Sequence, residues 1–282
     1  MDDELRHFLL VVEHGTFTEA ARRARLTQPA LSASIQRLEE HFGTRLLVRG
    51  RKGAEPTAAG QALVPYARQV FAALDDARRA VGETAGVQRG EVRLGAGATV
   101  CTYLLPERIK RFRERFPAIK LRLREATSAE LLDAVSDGTL DLAIVASDEG
   151  EGEHWQDDAL ILVAAPGVDA KKAPFITFPR GASTRTMLDR HFPEAEVVME
   201  LSSIATVKGH VRAGVGVALL SRAAVGTDLA LGRLIEVPDA RTPIVRAWRI
   251  AHRGIERLAP APSALRRLLF EDAPAGSRRK AR

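Results

Sequence analysis

The sequence predicts a chain of separate parts: a small helical head closed by a β-hairpin, one long helix, and a larger α/β body. Three observations predict this. Three short amphipathic stretches with cap residues precede residue 45, and a basic turn between glycines follows them. Apolar residues then recur every three or four positions across residues 58–84. From residue 91 onward, short apolar runs alternate with amphipathic ones, the pattern of an α/β body.

The first stretch carries Leu5, Phe8, Leu9 and Val12 at helical spacing, a helix over about residues 3–13 that Gly15 can end. Thr16 and Glu19 form a capping box that opens a second helix through Ala20, Ala21 and Ala24. Its alanines let another helix approach closely. Thr27 caps a third helix, Pro29 fits its first turn, and Gly43 ends it. Leu31, Ile35, Leu38 and Phe42 make one stripe, expected to be buried. The opposite face carries Pro29, Ala33 and Gln36, with Ser32 and Arg37 on its flanks and Gln28 at the tip. Such a face is either simply solvated or reads base edges, because Gln and Ser can bond bases in a major groove. Leu46–Arg49 and Glu55–Thr57 read as two strands around Gly50-Arg51-Lys52-Gly53. Three helices and a basic wing make a winged helix-turn-helix, with its wing suited to phosphates or the minor groove.

Charge agrees only locally. The chain carries net +6, but residues 1–60 hold nine Lys/Arg against eight Asp/Glu. Between His41 and Ala54, four basic residues stand with no acidic one. The composition, 45% hydrophobic and 28% charged, is that of a soluble globular protein, and 282 residues exceed one ordinary core. No apolar run reaches the ~18 residues of a membrane span, and Asp2, Asp3 and Glu4 open the chain unlike a signal peptide. A cytoplasmic protein with no membrane partner is expected. The single cysteine, Cys101, excludes an internal disulfide.

Thr57 caps the long helix. Leu63, Ala67, Val70, Leu74, Ala77 and Val81 alternate steps of four and three, which fits a coiled-coil seam or a core-facing helix. Polar residues on the other faces favour the coiled coil. Pro65 should bend it, and Gly82, Gly86 and Gly90 break it, with a hinge at 85–90. In the body, strands are expected at 91–96, 119–125, 141–146, 159–164, 175–178, 197–201, 217–220, 234–237 and 245–252. Helices are expected after 105, at 127–135, 183–192 and 204–213, and at 262–270. Mostly parallel sheets follow from this alternation. Residues 147–158 read as acidic and irregular, and 273–282 as a basic disordered tail.

No catalytic set is present: the seven histidines lack metal spacing, Gly95-Ala96-Gly97-Ala98 lacks the third glycine of a dinucleotide fingerprint, and no Walker loop occurs. No metal, cofactor or enzymatic activity is expected. The binding signal is positional. Thr99, Thr127, Ser128, Ser202 and Ser203 stand where strands give way to helices. Hydroxyls with free N–H groups there cradle anions, unless each only caps its own helix. Val100 and Cys101 adjoin Thr99; Cys101 is read as a pocket-lining or packed thiol.

The run Phe17-Thr18-Glu19-Ala20-Ala21, Thr27-Gln28-Pro29-Ala30-Leu31-Ser32, Leu38-Glu39, Gly43, Leu46-Leu47, Arg49 and Thr57-Ala58-Ala59-Gly60 resembles the DNA-binding signature of LysR-type transcriptional regulators. Leu104-Leu105-Pro106, Phe116-Pro117, Gly138 to Leu142 and Gly214 to Leu220 resemble that family's effector domain, which is similar to type 2 periplasmic-binding proteins. The resemblance implies a winged helix-turn-helix at 1–57, a linker and dimerisation helix with hinge at 58–90, and an effector domain at 91–272. Lobe I would be about 91–163 plus 262–272, and lobe II about 164–261, with crossovers near Ala164–Pro166 and Pro260. It implies recognition contacts from Gln28, Pro29 and Ser32, a capping role for Thr27, and wing contacts from Arg49 and Lys52; Gln36 and Arg37 join them from the same helix face and Arg51 from the basic tip. Ala33 stands where several relatives have arginine, so one contact is absent. It implies an effector cleft with Thr99 and Ser128, joined by Val100, Cys101, Thr127, Ser202 and Ser203. Its partners would be double-stranded DNA, a small-molecule effector of anionic character, a second copy or a tetramer, and RNA polymerase. Two other readings remain: a winged-helix regulator with a different sensor, such as one for an oxyanion, and a DNA-tethered α/β enzyme.

Overall fold

The structure is a computed structural model that describes residues 1–50, 53–82, 90–146 and 152–271. The wing-tip cations Arg51 and Lys52, the expected hinge up to residue 89, residues 147–151 and the tail lie outside the described residues, as does the side chain of Arg49. Two compact units form, one on Met1–Arg78 with Ser136–Gly138, the other on Arg79–Val135 and Thr139 onward.

In the first unit, α1 (Asp2–His14), α2 (Phe17–Ala24) and α3 (Gln28–Phe42) follow their cap residues. Thr16 Oγ1 accepts from Glu19 N at 3.2 Å, and Thr27 Oγ1 accepts from Ala30 N at 3.4 Å. Gly15 and Gly43 close α1 and α3 in the left-handed conformation. Arg25 closes α2 at φ 57° without being glycine, an uncommon conformation for a side chain with a Cβ. Phe8, Val11, Ala20, Leu31, Ile35 and Leu38 form the core. Ala20 and Ala21 are buried, as close helix packing requires. The α3 stripe differs in its last member. Phe42, in the last turn of α3, is 45% exposed and set edge-on to His41. Ser34 is buried instead, its hydroxyl 2.7 Å from His7 Nδ1.

Strands β1 (Leu47–Gly50) and β2 (Gly53–Pro56) form the wing, pairing antiparallel from Leu47↔Pro56 to Gly50↔Gly53. Glu39 Oε1 accepts from the Leu46 and Leu47 N–H groups at 2.8 and 3.1 Å, fixing the start of β1 on the end of α3. Ala54 N donates to Gly15 O at 2.6 Å. A Cβ on Gly53, at φ 135°, would stand 2.1 Å from that same oxygen, so only glycine lets the wing dock there.

Helix α4 (Ala58–Gly82) runs unbroken through Pro65 and is about 37 Å long at ~1.5 Å per residue. Thr57 Oγ1 accepts from Gly60 N at 3.0 Å and donates to Arg45 O at 2.8 Å. The apolar seam is divided in use. Leu63 and Ala67 pack into the head's own core, whereas Val70, Leu74 and Val81 are exposed, as is Tyr66.

The second unit is a mixed α/β body. Lobe I contains β3 (Gly90–Ala96), a π-helical turn (Val100–Leu104), α5 (Pro106–Arg115), β4 (Ile119–Glu125), α6 (Ser128–Ser136) and β5 (Leu142–Ala146). The 12-residue β6 (Glu153–Ala164) leads to β7 (Phe175–Thr177), α7 (Ser183–His191), β8 (Val197–Glu200) and α8 (Ile204–Arg212). Then follow β9 (Ala218–Ser221), α9 (Arg222–Ala230), β10 (Ile235–Glu236), β11 (Ile244–Ala251) and the closing α10 (Pro260–Glu271). The main sheet runs β10-β6-β11-β5-β3-β4, with β9 also on β6.

Mostly parallel pairing is not what forms. β3 pairs parallel with β4 and β5, and β7 with β8, but β6 and β11 pair antiparallel with each other and with every other neighbour. The reason is that both strands pass between the lobes in opposite directions. The passage also lies earlier than 164–166 and 260. Trp155 and Trp248 sit in the lobe I core with Val92, Leu94 and Phe112, while Leu160 and Ile244 sit in a lobe II core with Leu188 and Phe192. The chain therefore changes lobe within β6 and again within β11. Residues 153–158, expected to be irregular, are strand.

At the end of α4, Arg79 Nη2 and Arg93 Nη2 lie 2.8 and 2.7 Å from buried Asp141. Burial pushes the Asp141 carboxyl up, but the two guanidinium groups outweigh it and hold the group below the usual range. This stabilisation is present at neutral pH and is lost as pH falls through the lowered value.

Candidate functional sites

On the head, α3 offers a polar face. Gln28 and Pro29 are exposed at its tip and Ser32 is half-buried. Thr27 is spent on the cap. Two expected contact residues have partners already: Gln36 Nε2 donates to Glu40 Oε1 at 2.9 Å, and Arg37 Nε lies 3.2 Å from Glu4 Oε1. The N-terminal ammonium, a backbone bond and Arg37 together hold Glu4 down at about 2. Arg37 therefore reaches phosphate only by exchanging one anion for another. Arg25, exposed at the turn between α2 and α3, adds a cation at the head of this face that sequence reasoning missed. Nothing local announces it, since the position ordinarily takes glycine. Gln28→Ala and Ser32→Ala should lose discrimination at individual base pairs, about 1–3 kcal/mol for a bidentate contact. Binding to a panel of operator variants tests this. Uniform weakening across the panel contradicts base reading by α3.

In the body, a cleft of about 310 Å³ lies between the lobes. Gly97, Thr99, Glu125, Thr127 and Ser128 line it from lobe I, and Phe178, Arg180, Ser183, Ser202 and Ile204 from lobe II. Trp248 contributes from β11, and its indole N–H is buried without a hydrogen-bond partner. Of the expected residues, Thr99, Thr127, Ser128 and Ser202 meet here. Thr127, however, is committed to a reciprocal capping box: its N–H and hydroxyl reach Glu130 Oε2 at 2.9 and 2.7 Å, and Glu130 N reaches back at 3.4 Å.

Val100, Cys101 and Ser203 do not line the cleft. Val100 is fully buried in the lobe I core. Cys101 packs against that core, its thiol 3.4 Å from Ala96 O. Burial, with Glu125 nearby, pushes the thiol up to about 11, the opposite of an activated thiolate. The backbone after Thr99 makes a π turn, closed by Leu105 N on Val100 O at 2.9 Å, which directs these two side chains inward. Ser203 caps α8, accepting from Ala205 N at 3.2 Å.

A buried ion pair that the sequence pattern did not announce is bonded to Thr99, Ser183 and Thr184 of the cleft lining. Arg246 on β11 is 2% exposed at its side chain, and all five of its N–H groups are engaged. Nε and Nη2 reach Asp158 Oδ2 at 2.9 and 2.7 Å. Nη1 reaches Ser183 Oγ and Thr184 Oγ1, both at 3.0 Å, and Nη2 reaches Thr99 Oγ1 at 3.5 Å. Ser221 Oγ donates to the other Asp158 oxygen at 2.7 Å. One guanidinium thus bonds Thr99 of lobe I and Ser183 and Thr184 of lobe II. Burial pulls the Arg246 pKa down and Asp158 opposes that. An arginine in the apolar strand Ile244–Ala251 was the available signal, because a buried charge requires a partner.

Among the described residues no group of three or more potential metal ligands occurs, and no helix is long and apolar enough to cross a membrane.

Comparison with known proteins matches residues 3–61 to the model of the bacterial regulatory helix-turn-helix protein, lysR family, and residues 85–274 to the LysR substrate binding domain. The HTH-type transcriptional regulator CfxR of Cupriavidus necator is 30% identical over 95% of this chain and 90% of its own length. The regulator CbbR of Xanthobacter flavus is 30% identical over 93% of this chain and 85% of its own. Among solved structures, a full-length OxyR variant of Pseudomonas aeruginosa has the same fold, with TM-score 0.71 at 24% identity over 96% of this chain and 93% of its own.

Proposed function

The chain belongs to the LysR family of bacterial transcriptional regulators, and from that premise we propose how its parts divide the work. It is a DNA-binding transcriptional regulator that responds to a small-molecule effector and acts as a homo-oligomer. Residues 1–57 bind double-stranded DNA: Gln28 and Ser32 read bases, while Arg37 and the wing residues Arg49, Arg51 and Lys52 hold the phosphates or minor groove. Residues 58–90 pair two copies and set the spacing of their recognition helices. Residues 91–272 bind the effector. The protein works in the cytoplasm, where its DNA is, and carries no catalytic activity.

The effector is a small anion held between the lobes. The observation that carries this reading is the cleft lined by hydroxyls from both lobes, over a floor where Trp248 has a buried N–H without a partner. Ser128 begins α6, whose free N–H groups favour a carboxylate. Thr99 accepts from Arg246 and keeps its own hydrogen to donate. Ser202 and Arg180 face them from lobe II. An occupant bonded to both sides biases the angle between lobes, and thereby the two-site geometry on DNA.

Thr99→Val and Ser128→Ala should each weaken the effector by roughly 0.5–3 kcal/mol, the upper value for a charged partner. Effector-free DNA affinity should stay as it is. Calorimetric titration with small carboxylates drawn from the products of neighbouring genes tests this. Unchanged affinity in both variants removes the two residues from the site, and a cationic effector contradicts the helix-terminus argument.

A further inference from the structure

The two tryptophans of the chain share one core and differ in what their N–H groups meet. Trp155 on β6 and Trp248 on β11 both pack with Val92, Leu94 and Phe112 of lobe I. Trp155 Nε1 donates to Leu269 O of α10 at 2.8 Å. Trp248 is 2% exposed, and its Nε1 is buried with no partner among the described residues. Buried N–H groups are nearly always paired, and an exception asks for a missing acceptor. Trp248 also lines the cleft between the lobes, which Trp155 does not.

The surroundings of Trp248 define that acceptor. Arg246 Cζ lies 4.3 Å from the centre of the Trp248 ring, and the same guanidinium donates to Thr99 Oγ1 at 3.5 Å. A cation on the ring face draws electron density from the indole and strengthens its N–H as a donor. Two groups of the cleft lining, one indole and one hydroxyl, thus sit against one buried guanidinium. Asp158, 2.7 Å from Arg246, already takes up its charge. The other side of the ring is apolar core. A carboxylate at the indole would lose its water for one N–H, with no cation left to balance it. An uncharged oxygen there needs only that one donor. The charged end of a ligand has its own place nearer solvent: the start of α6 at Ser128, with exposed Arg180 on lobe II.

On the reading of this cleft as the effector site, on which the inference rests, we propose that Trp248 determines its specificity and that the effector is a hydroxy- or oxo-carboxylate. The carboxylate lies at the start of α6 and faces Arg180. The hydroxyl or carbonyl oxygen accepts from Trp248 Nε1. A plain carboxylate of the same length leaves the buried indole unpaired, and the site rejects it for that reason.

The test pairs acids that differ by that oxygen: malate with succinate, lactate with propionate, and 2-oxoglutarate with glutarate. Calorimetry on the full-length protein should show the oxygenated member of at least one pair binding about tenfold more tightly than its partner. Trp248→Phe, which keeps an aromatic ring in the core, should bring that ratio close to one. A second readout uses the unsubstituted protein. With nitrogen-15 tryptophan it gives two indole signals, which Trp155→Phe or Trp248→Phe assigns. The oxygenated acid should move the Trp248 signal downfield and leave that of Trp155, held by Leu269 O, in place. A ratio that survives Trp248→Phe, or a Trp248 signal that does not respond, overturns the proposal. Equal binding within every pair, still weakened by Thr99→Val and Ser128→Ala, also overturns it but leaves the cleft as the effector site. Failure of every acid to bind overturns the ligand class, whereas the cleft itself falls only to the Thr99 and Ser128 substitutions.

Discussion

Leu74→Asp should separate the protein into monomers and abolish tight binding to a two-half-site operator. The reason lies in how α4 spends its apolar residues. Leu63 and Ala67 belong to the head's own core, but Val70, Leu74 and Val81 remain exposed on the same helix. On the proposed pairing through residues 58–90, a seam with steps of four and three, left uncovered on a helix otherwise rich in charge, is completed by its own copy. An aspartate at Leu74 sets two carboxylates near each other at the middle of that seam, where both must lose water. Leu74 is 36% exposed in the single chain, so the head should keep its fold. Half-site affinity should persist while the gain from joining two half-sites, on the order of 10²–10⁴-fold, disappears. Sedimentation and operator titration check this, and an intact dimer of the variant shows that copies pair elsewhere.

Arg246→Ala should be the most damaging single change in the body. It strands buried Asp158 with only the Ser221 hydroxyl as donor and frees the hydroxyls of Ser183, Thr184 and Thr99. Breaking a buried ion pair from one side costs about 3–5 kcal/mol, a large part of a domain's stability. Removing both charges with Arg246→Met and Asp158→Asn should recover much of that loss, since no unpaired charge remains. Urea unfolding followed by tryptophan fluorescence is well placed to read it, because Trp155 and Trp248 are both buried in this lobe. A loss under ~1 kcal/mol for Arg246→Ala would mean that water readily replaces the guanidinium.

What the sequence made legible was local. The caps at Thr16, Thr27, Thr57 and Thr127, and the glycine ends at Gly15 and Gly43, depend on neighbours within four residues. They placed most helices within a residue or two. The crossover strands were less legible because their reasons are distant. β6 begins Glu-His-Trp-Gln-Asp-Asp, which reads as a polar loop, yet Trp155 is buried against lobe I and Asp158 by an arginine 88 residues away. Helix α9 has so weak an amphipathic pattern that periodicity gave no sign of it. In the cleft, Thr99, Ser128 and Ser202 were legible as hydroxyls at helix starts. Val100 and Cys101 were misassigned because adjacency in sequence does not survive a π turn. Trp248 lies within the expected strand 245–252, and only its unpaired indole N–H marks it out.

A paired α3 should read DNA sequence. The most direct measurement is in vitro selection of duplexes from a random-sequence pool by the full-length protein, with affinities then measured for the winners. Selection should converge on an inverted repeat whose half-sites lie a whole number of helical turns apart, about 10 base pairs each. The winners should bind at least ~10³-fold more tightly than the starting pool at physiological salt. A selected pool with no shared sequence, bound no better than the starting one, would contradict it.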